Sequence, residues 1–397
     1  MTPLRCMLAC LFILFSLRGV PAFGNGDSLE GLVMTESLDC VMEAAIASGL
    51  ASGGVLLVGD GKEDLLVRSY GRVSTEAGAP VMETDTLFDL ASLTKVLATA
   101  PSIVKLADEG KLDLRDPVIR WFPEFAGKGR DGLLPLHLLT HTSGLPDLEP
   151  TRDITIQGVL ELAATLPLPD LPGSGFIYSD INFILLGELV SRLSGSGLDL
   201  YAAENFYAPL GMRDTGFNPS GTLLSRSAPT LDHLGRFQTG VVQDRNARSL
   251  GGVAGHAGLF GTAADIARFC RMVLQGGELS GKRVLSEVAV RLMISPFQVD
   301  GGKVVRGLGW DIDSPYSSPK GGGFSDISFG HTGYSGTSIW IDPRADLFVI
   351  LLATRLDYNH ASRFNRLRAQ ISTLAAELFR PGETVAEPPL PLEETDR

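Results

Sequence analysis

Apolar residues recur along this chain with two periods. Residues 28 to 50 carry a broken helical stripe of Leu29, Leu32, Val33, Val41, Ala45 and Ile46. The next run, GGVLLVGDGKEDLLVRSYGRV, places β-rich segments on either side of Asp60-Gly61 and predicts a hairpin. Helical spacing returns in LASLTKVLATAPSIVK (90–105), 155–165, 180–193 and 262–275, where Thr262 is positioned as an N-cap. Between them the chain is rich in Pro and Gly, with Pro117 and Pro123 punctuating short elements. Near the end ISFGHTGYSGTSIWID and DLFVILLA, separated by Asp342-Pro343-Arg344-Ala345, read as a second strand pair. Phe364, Leu367, Ile371, Leu374 and Leu378 then mark the inner stripe of a last helix.

Strands near both ends, with helices and loops between, predict an α+β fold. One antiparallel sheet drawn from both ends is flanked by the N- and C-terminal helices, and a mainly helical domain is inserted between its parts. The expected division is residues 28–105 and 245–380 for the α/β domain and 106–244 for the helical one. Residues 381–397, rich in Pro and Glu, are expected to be disordered. No internal repeat is present.

The first two dozen residues change the picture. Arg5, the apolar stretch Cys6–Leu17 broken only by Ser16, and the small residues around Ala22-Phe23-Gly24 read as a signal peptide over 1–24. The stretch is short for a membrane span, so an exported, periplasmic or extracellular protein is expected. Loss of its two arginines takes the formal charge from −12 to −14. So acidic a chain, without a basic stripe, argues against nucleic acid as a partner. Two cysteines leave with that leader. Cys40 and Cys270 remain in apolar helical patterns and are expected as buried thiols, a disulfide being the alternative in an exported protein.

Candidate chemistry begins with a pattern that occurs three times, Ser-x-x-Lys at Ser92/Lys95, Ser102/Lys105 and Ser317/Lys320. On a helix it always brings hydroxyl and amine to one face, so surroundings decide. Leu93, Val96, Leu97, Ala100, Ile103, Val104 and Ala107 mark the buried side, and Ser102 and Lys105 share theirs with Glu109, a face expected to be solvated. Ser92 stands at the start of the helical pattern, where its own N–H has no helical acceptor and the dipole is positive. Such an N–H can hold an oxyanion, and a partly desolvated lysine one turn on can serve as a base. On these residues alone the simpler reading, Ser92 as a mere N-cap, is the favoured one.

Two further motifs add weight. Tyr178-Ser179-Asp180 lies where a Gly-rich loop enters an apolar helix, and His331-Thr332-Gly333 lies on a strand. Ser-x-x-Lys, then Tyr-x-Asn, then Lys- or His-Thr-Gly, in this order, is the pattern of the penicillin-recognising serine hydrolases. That group includes class C β-lactamases, D,D-carboxypeptidases and related esterases. The chain resembles it over roughly 30–380, including LLTHTSGLP (138–146) and GGVAGHAGLFGTAADIARF (251–269). The resemblance implies Ser92 as the acylated nucleophile, Lys95 in proton transfer, and Tyr178 shuttling the proton to the leaving group. It implies an oxyanion hole from the N–H groups of Ser92 and Tyr334, with Thr332 and His331 holding a substrate carboxylate or the proton network. Gly333 is expected to let substrate approach the strand edge. Neither metal nor organic cofactor is implied, and the substrate is a small peptide, ester or β-lactam.

Two departures matter. Asp180 stands where the family has asparagine. A carboxylate there cannot donate to a substrate carbonyl and would raise the pKa of Lys95, leaving the base role to Tyr178. His331 replaces the lysine of most β-lactamases and anchors a carboxylate less well. The expected order is therefore a D-alanyl-D-alanine carboxypeptidase-like activity, then esterase, then β-lactamase, with a non-enzymatic binder of peptidoglycan fragments as the other class. Arg355 is a candidate for the missing charge. His137 and His141, spaced i, i+4, lack a third ligand and read as structural, and His256 as a loop brace near the cleft.

Overall fold

The computed structural model describes residues 29–127, 129–147 and 153–380. The proposed leader and the C-terminal tail lie outside these residues. A helix α1 (Leu29–Ala47) leads into β1 (Ala51–Gly59) and β2 (Asp64–Gly71), the hairpin expected around Asp60-Gly61. Asp60 closes that turn by accepting the N–H groups of Lys62 and Glu63 on Oδ1. Helices α2 (Ala100–Asp108), α3 (Asp180–Ser194) and α4 (Ala263–Leu274) follow, and Thr262 caps α4 as expected, accepting from Asp265 N–H. Then come β3 (Phe297–Val299), β4 (Val304–Arg306), β5 (Asp311–Asp313), β6 (Phe329–Thr332), β7 (Ser338–Asp342), β8 (Leu347–Arg355) and α5 (Ala361–Phe379).

The eight strands form one antiparallel sheet in the order β3-β4-β5-β6-β7-β8-β1-β2, so the two ends of the chain meet where β1 pairs β8. Alternation along the strands divides the core. Leu56 and Val58 of β1 join Leu347, Val349 and Leu351 of β8 in a layer with Leu38 of α1 and Phe364 and Ile371 of α5. Val55 and Leu57, with Phe348, Ile350 and Leu352, face the larger core containing α2, α3 and α4. This is the expected α+β fold. Strands β3 to β5, three residues each, extend the sheet beyond what the alternating pattern announced.

Other expectations need correction. Ser102 is fully buried and donates to Ala98 O, and Lys105 reaches Val284 O. Their helix is covered on that side as far as Lys105, so Ser102 is not on a solvated face, and of the three only Glu109, at its end, is exposed. Ser317 donates to Asp311 Oδ2 and braces β5. Cys40 and Cys270 remain thiols as expected, Cys270 buried and Cys40 only partly so, and burial pushes the Cys270 thiol pKa up. Among the described residues no helix is long and apolar enough to cross a membrane.

Candidate active site

Ser92 lies in a 3₁₀ turn (Ala91–Leu93) that passes through a π-turn (Lys95–Thr99) into α2, rather than at the mouth of a plain α-helix. Ala91, immediately before it, has φ 48°, a left-handed conformation that costs an alanine about 1 kcal/mol. Buried Asp89 holds this kink by accepting the Ala91 N–H on Oδ1 (2.9 Å) and the Gln243 N–H on Oδ2 (2.7 Å). Burial pushes the Asp89 carboxyl up to about 6 against those two hydrogen bonds. Alanine is not a residue that advertises a positive φ, and an aspartate two positions before Ser92 has no spacing signature. Sequence reasoning missed both.

Lys95 is wholly buried, and its Nζ lies 3.1 Å from Ser92 Oγ, 3.1 Å from the His256 carbonyl and 2.7 Å from Asp180 Oδ1. Tyr178 places its ring centroid 5.2 Å from the same nitrogen. Burial acts to lower the lysine's pKa, but the charge of Asp180, the proximity of Tyr178 and hydrogen bonds to both outweigh it, and the net direction is upward. Lys95 is therefore an ammonium at rest. Gly255 makes its third contact possible: a Cβ at 255 would stand 1.8 Å from Phe183 O, so only glycine lets the 255–256 segment lie on α3 and aim the His256 carbonyl at Nζ. The His256 ring bonds Asp244 (2.8 Å). Burial opposes ionisation of Asp244, but its bond to His256 and the charge there hold its carboxyl at about 2. Asp180, Asp244 and His256 offer atoms within 4.8 Å of one another, yet the Lys95 ammonium already supplies Asp180 with its cation.

Tyr178 stacks on His141 (centroids 4.4 Å apart) and stands 6.1 Å from His331 and 5.3 Å from Tyr316. His141 Nδ1 accepts the Ser179 N–H (3.2 Å), so the neutral ring carries its proton on Nε2. His137, by contrast, lies on the short helix Pro135–Leu139, with Nδ1 accepting from Leu134 N–H. The pair shares no helix face, since His141 lies beyond that helix at φ 57°.

His331 is buried, and its Nδ1 donates to Thr332 O (2.8 Å). Burial first, then the charges of Arg306 and Lys95, keeps its pKa well below 6.5. A neutral ring with Nδ1 so engaged offers only a lone pair on Nε2 and cannot bind a carboxylate. It suits the proton network instead. The strand end is locked to the nucleophile turn: Ser335 Oγ donates to Asp89 O (2.7 Å) and Thr337 Oγ1 to Leu90 O (3.1 Å). Gly333 belongs to this lock. A Cβ there would meet Thr337 Oγ1 at 2.0 Å and Leu90 O at 2.6 Å, so its close approach is to the protein's own backbone. Tyr334, 60% exposed, opens to solvent. Arg355 is not an open anchor: 4% exposed, it stacks on Tyr334, Tyr358 and Phe364 and donates to the carbonyls of Asp357 and Tyr334.

The two buried neutral histidines give stability a pH dependence. His141 also has its pKa driven well below 6.5, by burial and then by Arg306 and Lys95. The unfolded chain protonates both below about pH 6.5 and the folded one does not, so stability present above that pH is lost as pH falls. The slope reaches about 1.4 kcal/mol per histidine per unit. Asp89 acts oppositely, since the folded state binds its proton first between 3.8 and about 6, and offsets part of the loss. We expect the urea midpoint to fall from pH 7.5 to 5.5, and the fall to shrink in His141→Gln. A flat profile would contradict the neutral assignment.

An inner strand, β6, that ends in His-Thr-Gly beside a Ser-x-x-Lys turn, with Tyr178 brought to the same place, defines a serine hydrolase of the β-lactamase-related class. The chain belongs to the beta-lactamase family, whose model matches residues 39–373. It is 31% identical over 358 residues to a protein of Salmonella agona (strain SL483) named "Putative D-alanyl-D-alanine carboxypeptidase", covering 80% of this chain and 82% of the relative. It is also 31% identical over 362 residues to an "N-acetylmuramyl-L-alanine amidase" of Bacillus subtilis (strain 168), covering 80% of each. Among solved structures a class C beta-lactamase superposes with TM-score 0.72 at 17% identity, over 89% of this chain and 98% of that one. A penicillin-binding protein homologue from Caulobacter crescentus gives 0.70 at 20%, over 86% and 97%.

Proposed function

We propose that the protein is an exported D-alanyl-D-alanine carboxypeptidase-like hydrolase acting on peptidoglycan peptides through an acyl-enzyme on Ser92. The observation that carries this is the convergence of Ser92 Oγ, Asp180 and Tyr178 on one buried ammonium, Lys95. With Lys95 charged at rest, Tyr178 acts as the phenolate, balanced by the Lys95 ammonium: it takes the Ser92 proton as Oγ attacks the carbonyl and becomes the neutral phenol. The N–H groups of Ser92 and Tyr334 receive the oxyanion. The leaving amine takes its proton back through Tyr178, and the same groups activate water for deacylation. Thr332 lines the strand end against which substrate lies, Gly333 holds that end to the nucleophile turn, and Asp180 faces the acyl portion as an acceptor. The names of the Salmonella relative and of its Escherichia coli (strain K12) counterpart support this substrate class.

A second reading is favoured by the neutral His331. The arginines beside the strand end, Arg355 and Arg368, are buried and bonded to backbone carbonyls, so the site has weak purchase on a terminal carboxylate, which points to an amide or ester lacking one. Incubation with a D-Ala-D-Ala pentapeptide, an N-acetylmuramoyl peptide, p-nitrophenyl acetate and nitrocefin separates these. Release of D-alanine from the pentapeptide, absent in Ser92→Ala, is the expected result. Cleavage only of the lactyl amide or of the ester would transfer the assignment to the second reading. Dominant nitrocefin turnover would contradict both, together with the role given to Asp180.

A further inference from the structure

Arg368 of α5 is 4% exposed, and no carboxylate pairs with it among the described residues. A buried cation without an anion is costly unless its donors are well used. Two of its contacts lie on the loop that follows β6: Nη2 donates to Gly333 O at 2.7 Å and to Thr337 O at 2.8 Å. Nη1 bonds Asn365 Oδ1 (2.9 Å), Nε has no partner, and the guanidinium lies over the Phe364 ring (4.7 Å). Burial, aided by nearby Arg355, pulls its pKa down to about 9, a measure of how unfavourable the position is for charge.

What the charge does there follows from peptide geometry. Gly333 C=O and Tyr334 N–H belong to one planar unit, and no cis bond occurs among the described residues, so the two groups point in opposite directions. A donor holding the carbonyl toward α5 therefore holds the N–H away from α5. Gly336 N–H also reaches this carbonyl, at 3.2 Å, but as a longer, neutral bond. A cationic donor on the oxygen withdraws density from the amide and strengthens its N–H as a donor.

We propose that Arg368 is a positioning residue for the oxyanion hole, which aligns and polarises the Tyr334 N–H through the Gly333 carbonyl. This rests on the acyl-transfer reading of Ser92 and Tyr334 above. Its signature is selective loss of transition-state stabilisation for an oxygen anion. The test compares kcat/KM for p-nitrophenyl acetate and its thionoester, whose sulfur accepts hydrogen bonds poorly, in the wild type, Arg368→Met, Arg368→Lys and Asn365→Ala. Ser372→Ala serves as a control, because Ser372 is buried on the same helix and its hydroxyl, among the described residues, bonds Pro319 O rather than the loop after β6.

The wild type is expected to prefer the oxygen ester. Arg368→Met should lower kcat for that ester about 10- to 100-fold with KM little changed, and the thionoester rate far less, so the preference collapses. Arg368→Lys, which keeps charge and a donor, should fall between, and Asn365→Ala should show a small loss of the same kind. Should Arg368→Met fail to fold, the lysine and Asn365 variants carry the same readout. An unchanged preference in folded Arg368 variants, or equal losses on both esters, would overturn the proposal and leave acyl transfer standing. A wild type without any preference would instead remove the oxyanion role of Tyr334, and the role of Arg368 with it.

Discussion

Ser92→Ala is expected to lose at least about 10⁴-fold in turnover of every substrate while unfolding within a degree or two of the wild type. The two halves of that result have separate causes. Turnover fails because, among the described residues, no other serine or threonine hydroxyl bonds Lys95 Nζ. Ser102, the other candidate on this segment, is bonded to Ala98 O inside the core. Stability survives because the Ser92 hydroxyl gives the fold one hydrogen bond, from Lys95. Without it the ammonium keeps Asp180 and the His256 carbonyl. The measurement is kcat/KM on the most active ester beside a thermal melt. Retained turnover would mean that catalysis lies elsewhere, and a collapsed melt would mean that the serine is structural.

Lys95→Met should produce the opposite pairing, a large loss of both activity and stability. Methionine fills a similar volume, so packing is kept and the charge alone is removed. Asp180 is left as an unpaired carboxylate and His256 O without its donor. A fully buried broken pair costs about 3–5 kcal/mol, and the partial exposure of Asp180, 23% of its side chain, reduces this to about 2–3 kcal/mol. Activity should fall about 10³-fold, because neither Tyr178 nor the developing charge retains its ammonium. The double variant Lys95→Met/Asp180→Asn separates the contributions: stability should return to near the wild-type midpoint, and activity should not. Asp180→Asn alone removes the largest influence holding the lysine pKa up and leaves burial to lower it. The acidic limb of its kcat/KM profile should then report a lysine able to act as base. Additive losses in the double variant would show that the two side chains are not coupled.

How far these residues could be read from the chain depended on whether their partners were local. Ser92 and Lys95 are one turn apart, and Tyr178 and His331 each sit in a short motif, so types and spacing carried them. The β1–β2 hairpin was equally legible, because Asp60 and Gly61 interrupt two β-rich runs. Other features depend on contacts across the fold. Lys95 finds its carbonyl at His256, 161 residues away, and Gly333 finds its guanidinium at Arg368. Neither carbonyl has a side chain that could announce it. The buried face of Ser102 was misread because helical periodicity marks one apolar stripe, whereas this helix is covered on the Lys105 side as well, at Val284. Strands β3 to β5 are too short to alternate detectably. Arg355 reads in the sequence as a candidate for the missing charge because nothing there tells that Tyr334, Tyr358 and Phe364 close around it.

The most direct test is the intact mass of the protein after incubation with a fluorescent penicillin or an activated ester and an acid quench, followed by peptide mapping. The account predicts one acyl group per chain, located on Ser92 and missing from Ser92→Ala. An adduct on any other residue, or one that persists in Ser92→Ala, would contradict it.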